Sequence, residues 1–142
     1  MALSYEAKLM SGITLLVIPT VMYGGLALLG ILTHGSVGSA PGSLTLNETQ
    51  WALWRAGHAH AGVWVILSLV IQVLLDSAKL SSALRWFARV AAPLSAVTVS
   101  AGFFGVAFIP AFRWMLYLGG LSLLAAVIVT GVGLLRNLRT RG

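Results

Sequence analysis

The segment RAGHAHAG, residues 55–62, places Arg55, His58 and His60 inside a stretch that is otherwise apolar. An ionisable side chain at membrane depth is costly, about 2.5 to 3.5 kcal/mol for Arg, Lys or Asp at a helix centre on insertion scales. Such residues therefore indicate a functional site with a specific partner. Imidazole nitrogens ligate metals or carry protons, and a guanidinium pairs with anions. These three side chains are the main candidates for chemistry in the chain.

The composition indicates an integral membrane protein. Of 142 residues, 58% are hydrophobic and only 8% are charged, whereas soluble chains carry about 25% charged residues. Nine Lys and Arg against three Asp and Glu give a net charge of +6. These charges lie at the ends of apolar runs, so they indicate orientation in a bilayer and not nucleic-acid binding. The chain has no Cys, which excludes disulfides and thiolate chemistry.

Four apolar runs are long enough to cross a bilayer, which takes about 20 residues. They cover residues 9–32, 50–75, 87–109 and 112–135. Pro19 and Pro93 lie inside spans, where neighbouring helices can satisfy the freed carbonyls. Pro110 predicts a tight turn, so the last two helices should form an antiparallel hairpin. We predict an all-α bundle of four transmembrane helices, a single domain over residues 1–142.

The positions of Lys and Arg predict that both termini face the cytoplasm. The loop from His34 to Thr49 has neither residue type. The opposite ends of the spans are flanked by Lys8, Lys79, Arg85, Arg89, Arg136, Arg139 and Arg141. We expect the protein in a bacterial inner (plasma) membrane.

A projection of helix two at 100° per residue separates the two histidines. Arg55, His58, Gln72 and Asp76 form one polar stripe, which should face the bundle interior. His60 lies about 200° round from His58, among apolar residues. Side chains that share a metal on one helix stand at i,i+3 or i,i+4. The two histidines therefore cannot bind the same small ion from a regular helix.

Each polar residue of helix two has a structural and a functional interpretation. His58 is either a buried imidazole hydrogen-bonded to another helix or a ligand. His60 needs a partner from another helix, another subunit or a cofactor with an apolar body, and haem fits that description. Arg55 either reaches the outer interface or pairs with a haem propionate. We expect Gln72 to make an interhelical hydrogen bond, and Asp76 to form a solvated pair with the nearby lysine.

Residues 55–62, followed by an apolar helix, resemble the His-bearing second helix of haem–copper oxidase subunit I and its smaller relatives. The resemblance covers about twenty residues. In that family a His of this helix is an axial ligand of the low-spin haem, so the resemblance implies a b-type haem on His58 or His60. No later span contains a histidine. The family's opposite axial ligand and copper-ligand triad thus have no counterpart here, and oxygen reduction with proton pumping is not implied.

Several sources of a second axial ligand stay open. His34, at the outer end of helix one, is at a plausible depth, and the same histidine of a neighbouring subunit is another option. A five-coordinate haem, open to a gas, is a third. A copper or zinc site of His34 with one helix-two histidine, joined by Glu48, is a minor variant. Weaker ligand candidates are Met22, Met115, Tyr23 and Tyr117.

The sequence therefore predicts a haem-binding membrane protein for electron transfer, gas sensing or haem handling, with a redox partner or a small gas. One alternative is a small transporter or channel subunit in which Arg55, His58 and Asp76 line an anion or proton path. Another is a non-catalytic assembly subunit whose histidines only hold helices together. Enzymatic turnover has little support, because Glu6 and Asp76 belong to the membrane face opposite the histidines.

Glycines in three spans predict close helix packing, within one bundle or at a subunit interface. They are Gly24, Gly25, Gly30, Gly102, Gly105, Gly119, Gly120, Gly131 and Gly133. Because four spans alone bury little polar surface, we expect a homo-oligomer, a dimer or a trimer.

Overall fold

The computed structural model describes residues 3–33 and 45–139. Within these ranges the chain is helical and has no strand, which confirms the predicted fold class. The elements are α1 (Tyr5–Leu32), α2 (Glu48–Leu75), α3 (Ser82–Val106), a 3₁₀ turn (Pro110–Phe112) and α4 (Arg113–Arg139). All four α-helices are long and apolar enough to cross a membrane. The 3₁₀ turn begins at Pro110, as predicted, and joins α3 to α4.

The first three helices begin earlier than their apolar runs because polar caps lie in the flanking segments. The Ser4 hydroxyl accepts a hydrogen bond from the Ala7 N–H, and the Ser81 hydroxyl caps α3 in the same way. Asn47 and Gln50 form a reciprocal capping box at the start of α2. Each cap satisfies N–H groups that the first helical turn leaves without a partner.

Helix α3 is the centre of the bundle. It packs extensively against α4 and α2. Helix α1 packs mainly against α2 and, within the described residues, does not contact α4. Half of the most apolar part of α3 is buried inside the protein, against 17% for α1. The core formed by α2, α3 and α4 comprises Ile71, Leu75, Ala88, Ala91, Ala92, Leu123 and Ala126.

The predicted role of glycine in close packing is confirmed at some positions and not at others. A methyl group on Gly102 or Gly119 would collide with a neighbouring helix. A methyl group on Gly25 would press against His58 of α2, one on Gly105 would collide with Phe112 of the 3₁₀ turn, and one on Gly133 would collide with the connection between α2 and α3. Gly30 is buried. Around Gly24, Gly120 and Gly131, nothing lies within 4 Å of such a methyl group.

The start of α1 and the end of α4 lie at the same end of the bundle. Ser4 hydrogen-bonds to Asp76, directly after α2, and the Lys79 N–H donates to the Gly133 carbonyl of α4 at 2.8 Å. We call this the termini end, and the opposite one the loop end. That the termini end faces the cytoplasm stays a prediction from the positions of Lys and Arg.

Candidate functional site

His60 forms a hydrogen bond within its own helix. Its Nδ1 lies 2.7 Å from the carbonyl oxygen of Ala56, one turn earlier in α2. A carbonyl oxygen only accepts, so Nδ1 carries the proton and donates. In the neutral imidazole, the lone pair is then on Nε2. No residue in the described part of the chain forms a hydrogen bond with Nε2.

The surroundings of the His60 ring are aromatic and apolar. Its centre lies 4.8 Å from the ring of Phe103 in α3 and 5.6 Å from that of Trp64. A surface cavity of about 150 Å³ beside it is lined by Ala59, His60, Val63 and Trp64. Val63 is 62% exposed, so this cavity borders the outer apolar surface of α2. His60 therefore lies where the packed core meets that surface.

His58 faces a different helix. A methyl group on Gly25 of α1 would lie 3.0 Å from both Cε1 and Nε2 of the His58 ring. The imidazole therefore packs closely against α1, in space that only a glycine leaves free. The predicted separation of His58 and His60 onto different faces agrees with these contacts.

The described residues contain no group of three or more His, Asp or Glu side chains that could hold a metal ion. Glu48 lies ten residues before His58, which is about 15 Å along the axis of α2 toward the loop end. His34, predicted as a second axial ligand or a copper or zinc ligand, lies outside the described residues.

Arg55 is exposed at the loop end of α2. It lines a surface cavity of about 470 Å³ together with Leu32, Glu48 and Trp51. On the helical projection Arg55 lies about 60° from His58 but about 140° from His60. The predicted polar stripe therefore faces the bundle interior only along part of its length. Gln72 is fully buried, whereas Arg55 is exposed.

The most deeply buried ionic group in the described structure is Arg89, which sequence analysis placed among the basic residues flanking the spans. That placement was wrong, because α3 begins at Ser82 and Arg89 lies two turns inside it with 1% of its side chain exposed. Its Nη2 pairs with Oδ1 of Asp76 at 2.5 Å and donates to the Ser4 hydroxyl at 3.2 Å. Its Nη1 donates to the side-chain and backbone oxygens of Gln72 at 3.1 and 3.2 Å.

Gln72 completes this buried network, and its predicted interhelical hydrogen bond is confirmed. Its Nε2 donates to the Arg89 carbonyl at 2.8 Å. The two side chains thus exchange hydrogen bonds between α2 and α3. Burying polar side chains stabilises a fold only when their hydrogen bonds are formed, and here Gln72 and Arg89 form them with each other.

Asp76 has a different partner from the one predicted. Instead of a solvated pair with Lys79, it forms an ion pair with Arg89 and accepts hydrogen bonds from the Ser4 N–H at 2.8 Å and hydroxyl at 2.7 Å. Burial raises the pKa of Asp76, but the hydrogen bonds from Ser4 and the Arg89 guanidinium outweigh it, so the pKa lies below its ordinary value. The carboxyl is therefore ionised at neutral pH and joins the start of α1 and Arg89 of α3 to the end of α2.

One signal in the sequence could have identified Arg89 as a buried residue. It stands three and seven residues before Ala92 and Ala96, which is the spacing of one helix face. That face is made of small residues and is buried against the neighbouring helices.

No protein-family model, curated protein or solved structure matches this chain. Its function is therefore inferred from the residues themselves.

Proposed function

We propose that this protein binds haem in the membrane, with Nε2 of His60 as an axial ligand. The observation that carries the proposal is the hydrogen bond from His60 Nδ1 to the Ala56 carbonyl. Histidines that ligate metals almost always donate their other ring N–H to a carbonyl, a carboxylate or water, because this sets the tautomer and the ring orientation. His60 has this arrangement, and its other nitrogen has a free lone pair.

The side chains around His60 are apolar and aromatic, the types that contact a porphyrin ring. Phe103 and Trp64 lie against the imidazole, and the cavity beside it borders an exposed apolar surface. Cofactor sites are lined mainly by hydrophobic and aromatic side chains with a few oriented polar groups. When bound, haem supplies one-electron chemistry or a position for a small gas. Electron transfer, gas sensing and haem handling are the roles that we propose.

His60 fits the ligand role better than His58 does. The close contact of the His58 ring with Gly25 leaves no space for a macrocycle between α1 and α2. Arg55 lies on the His58 side of the helix, so a propionate contact of Arg55 would accompany ligation by His58 and not by His60. His58 therefore serves as a matched control.

The test is an absorption spectrum of the full chain, purified in detergent and titrated with haem. We expect a Soret band that saturates at a fixed ratio of haem to protein. His60→Ala should abolish it, whereas His58→Ala should retain it. A colourless wild-type preparation, or a Soret band unchanged in His60→Ala, would overturn the proposal.

A second candidate function is proton or anion conduction, which the buried Arg89–Asp76 pair favours. Ionisable residues inside membrane bundles commonly mark ion or proton pathways. Conduction predicts ion flux in liposomes that Asp76→Asn reduces, with no dependence on haem. A third interpretation, an assembly subunit, predicts neither a Soret band nor flux.

A further inference from the structure

Two opposite charges lie on one side of α2 at the loop end. Glu48 is the first residue of the helix, and Arg55 follows seven residues later. Seven residues make about two helical turns, a rise of about 10 Å with an offset of about 20°. Both side chains are exposed. Together with Trp51, which stands between them, and Leu32 at the end of α1, they line one surface cavity of about 470 Å³.

Neither of these charges has an ionic partner. Within the described residues, the Glu48 carboxylate and the Arg55 guanidinium form no ion pair and no hydrogen bond with another side chain. The other two acidic residues of the chain, Glu6 and Asp76, lie at the termini end. Residues 34–44 contain no Asp, Glu, Lys or Arg. Both charges of the cavity are therefore available to a ligand.

The helix sets the order of the two charges across the membrane. Helix α2 has 28 residues, a length of about 42 Å, whereas the hydrocarbon core of a bilayer is about 30 Å thick. Glu48, at the end of the helix, lies at the level of the lipid headgroups, and Arg55 begins about 10 Å nearer the membrane centre. Helical side chains tilt toward the N-terminus of their helix, so Arg55 extends back toward the headgroups. The cavity thus has a cation on its membrane side and an anion on its water side.

We propose that this cavity binds the headgroup of a zwitterionic phospholipid. In such a lipid the phosphate is attached to the glycerol, nearer the acyl chains, and the ammonium group lies at the outer end. The charges of the cavity have the complementary order, so that Arg55 pairs with the phosphate and Glu48 with the ammonium group. Trp51 provides an aromatic ring beside the ammonium group, and Leu32 adds an apolar wall.

A phospholipid with net negative charge fits this cavity less well. Phosphatidylglycerol has a phosphate for Arg55 but no cation for Glu48, whose carboxylate repels it. The cavity volume of about 470 Å³ lies within the usual range for small-molecule sites, about 300 to 1,000 Å³. Because Arg55 lies about 140° from His60 around the helix, this site is separate from the one proposed for haem and does not depend on it.

The test is native mass spectrometry of the full chain in detergent, titrated separately with phosphatidylethanolamine and phosphatidylglycerol, which measures the dissociation constant of the first lipid bound. The wild type should bind phosphatidylethanolamine more tightly. Glu48→Gln should remove this preference, and Glu48→Lys should reverse it. Arg55→Gln should weaken the binding of both lipids about fivefold, the factor that corresponds to about 1 kcal/mol for one basic residue at a membrane surface.

Arg113→Gln is the matched control. Arg113 is an exposed cation at the same end of the bundle, beside Trp114 and outside this cavity, so its removal should leave the preference for phosphatidylethanolamine unchanged. A preference that persists in both Glu48 variants would overturn the proposal. So would equal effects of Arg55→Gln and Arg113→Gln.

A final competition separates a lipid from a soluble ligand. Glycerophosphoethanolamine has the charges of the phosphatidylethanolamine headgroup but no acyl chains. At a concentration equal to that of the lipid it should not displace it, because the acyl chains keep the lipid at the apolar surface of the helices. Displacement at equal concentration would overturn the lipid as the occupant of the cavity.

Discussion

Arg89 in α3 and Asp76 at the end of α2 form an ion pair with 2.5 Å between Nη2 and Oδ1. The pair is almost fully enclosed, since 1% of the Arg89 side chain and 12% of the Asp76 side chain are exposed. Ser4, immediately before α1, contacts both partners. Three helices are therefore connected through one charged contact at the termini end.

Removing one member of this pair should destabilise the protein strongly. Asp76→Asn keeps the shape of the side chain but leaves the Arg89 charge buried without its counter-ion, a change that typically costs about 3 to 5 kcal/mol. Denaturant unfolding in detergent micelles measures the loss. Lys79→Met, at an exposed position nearby, is the control and should change little. The double variant Asp76→Asn with Arg89→Met should recover part of the loss, and an equally unstable double variant would contradict this account.

The contribution of Asp76 to the free energy of unfolding should decrease as the pH falls. Because the pKa of the folded-state carboxyl is lower than its ordinary value of 3.8, the ionised form stabilises the fold at higher pH. That stability is present above pH 3.8 and is lost as the pH falls below it through the folded-state pKa. Unfolding of the wild type and of Asp76→Asn should thus be compared from neutral pH downward. Their difference should shrink on acidification, and a difference that is constant or grows would contradict the depressed pKa.

Gly119 and Gly120 form a matched pair for testing helix packing in α4. A methyl group on Gly119 would collide with Thr98 and Val99 of α3, whereas on Gly120 it would meet nothing within 4 Å. Gly119→Ala should therefore cost about 1 to 3 kcal/mol through overpacking. Gly120→Ala should be neutral or stabilising, since alanine favours a helix by about 1 kcal/mol over glycine. Thermal unfolding of both variants measures the difference, and equal stabilities would show that α3 and α4 do not pack as described.

The orientation in the membrane can be tested with reporter fusions. The distribution of Lys and Arg predicts a cytoplasmic C-terminus and an external connection between α1 and α2. A fluorescent protein fused after residue 142 should fold and fluoresce in bacterial cells, and alkaline phosphatase inserted within residues 34–44 should be active. The reverse pattern would place the termini outside.

The number of spans, the turn at Pro110 and the burial of Gln72 could all be predicted from the sequence. These features depend on apolar length, on proline and on helical period, which are local properties of the chain. The separation of His58 from His60 is local for the same reason. So is the hydrogen bond from His60 to Ala56, which joins residues one turn apart.

Which side chains meet between helices could not be predicted, because it depends on how the helices pack. Arg85 and Arg89 have the same side-chain chemistry and lie four residues apart in α3. Arg89, however, is the one that is buried and paired with Asp76. The partner of a charge is set by which helix faces come together, because a carboxylate can pair with any cation that packing brings within reach. The contact of His58 with Gly25, and that of His60 with Phe103, were decided in the same way, by the packing of α2 between α1 and α3.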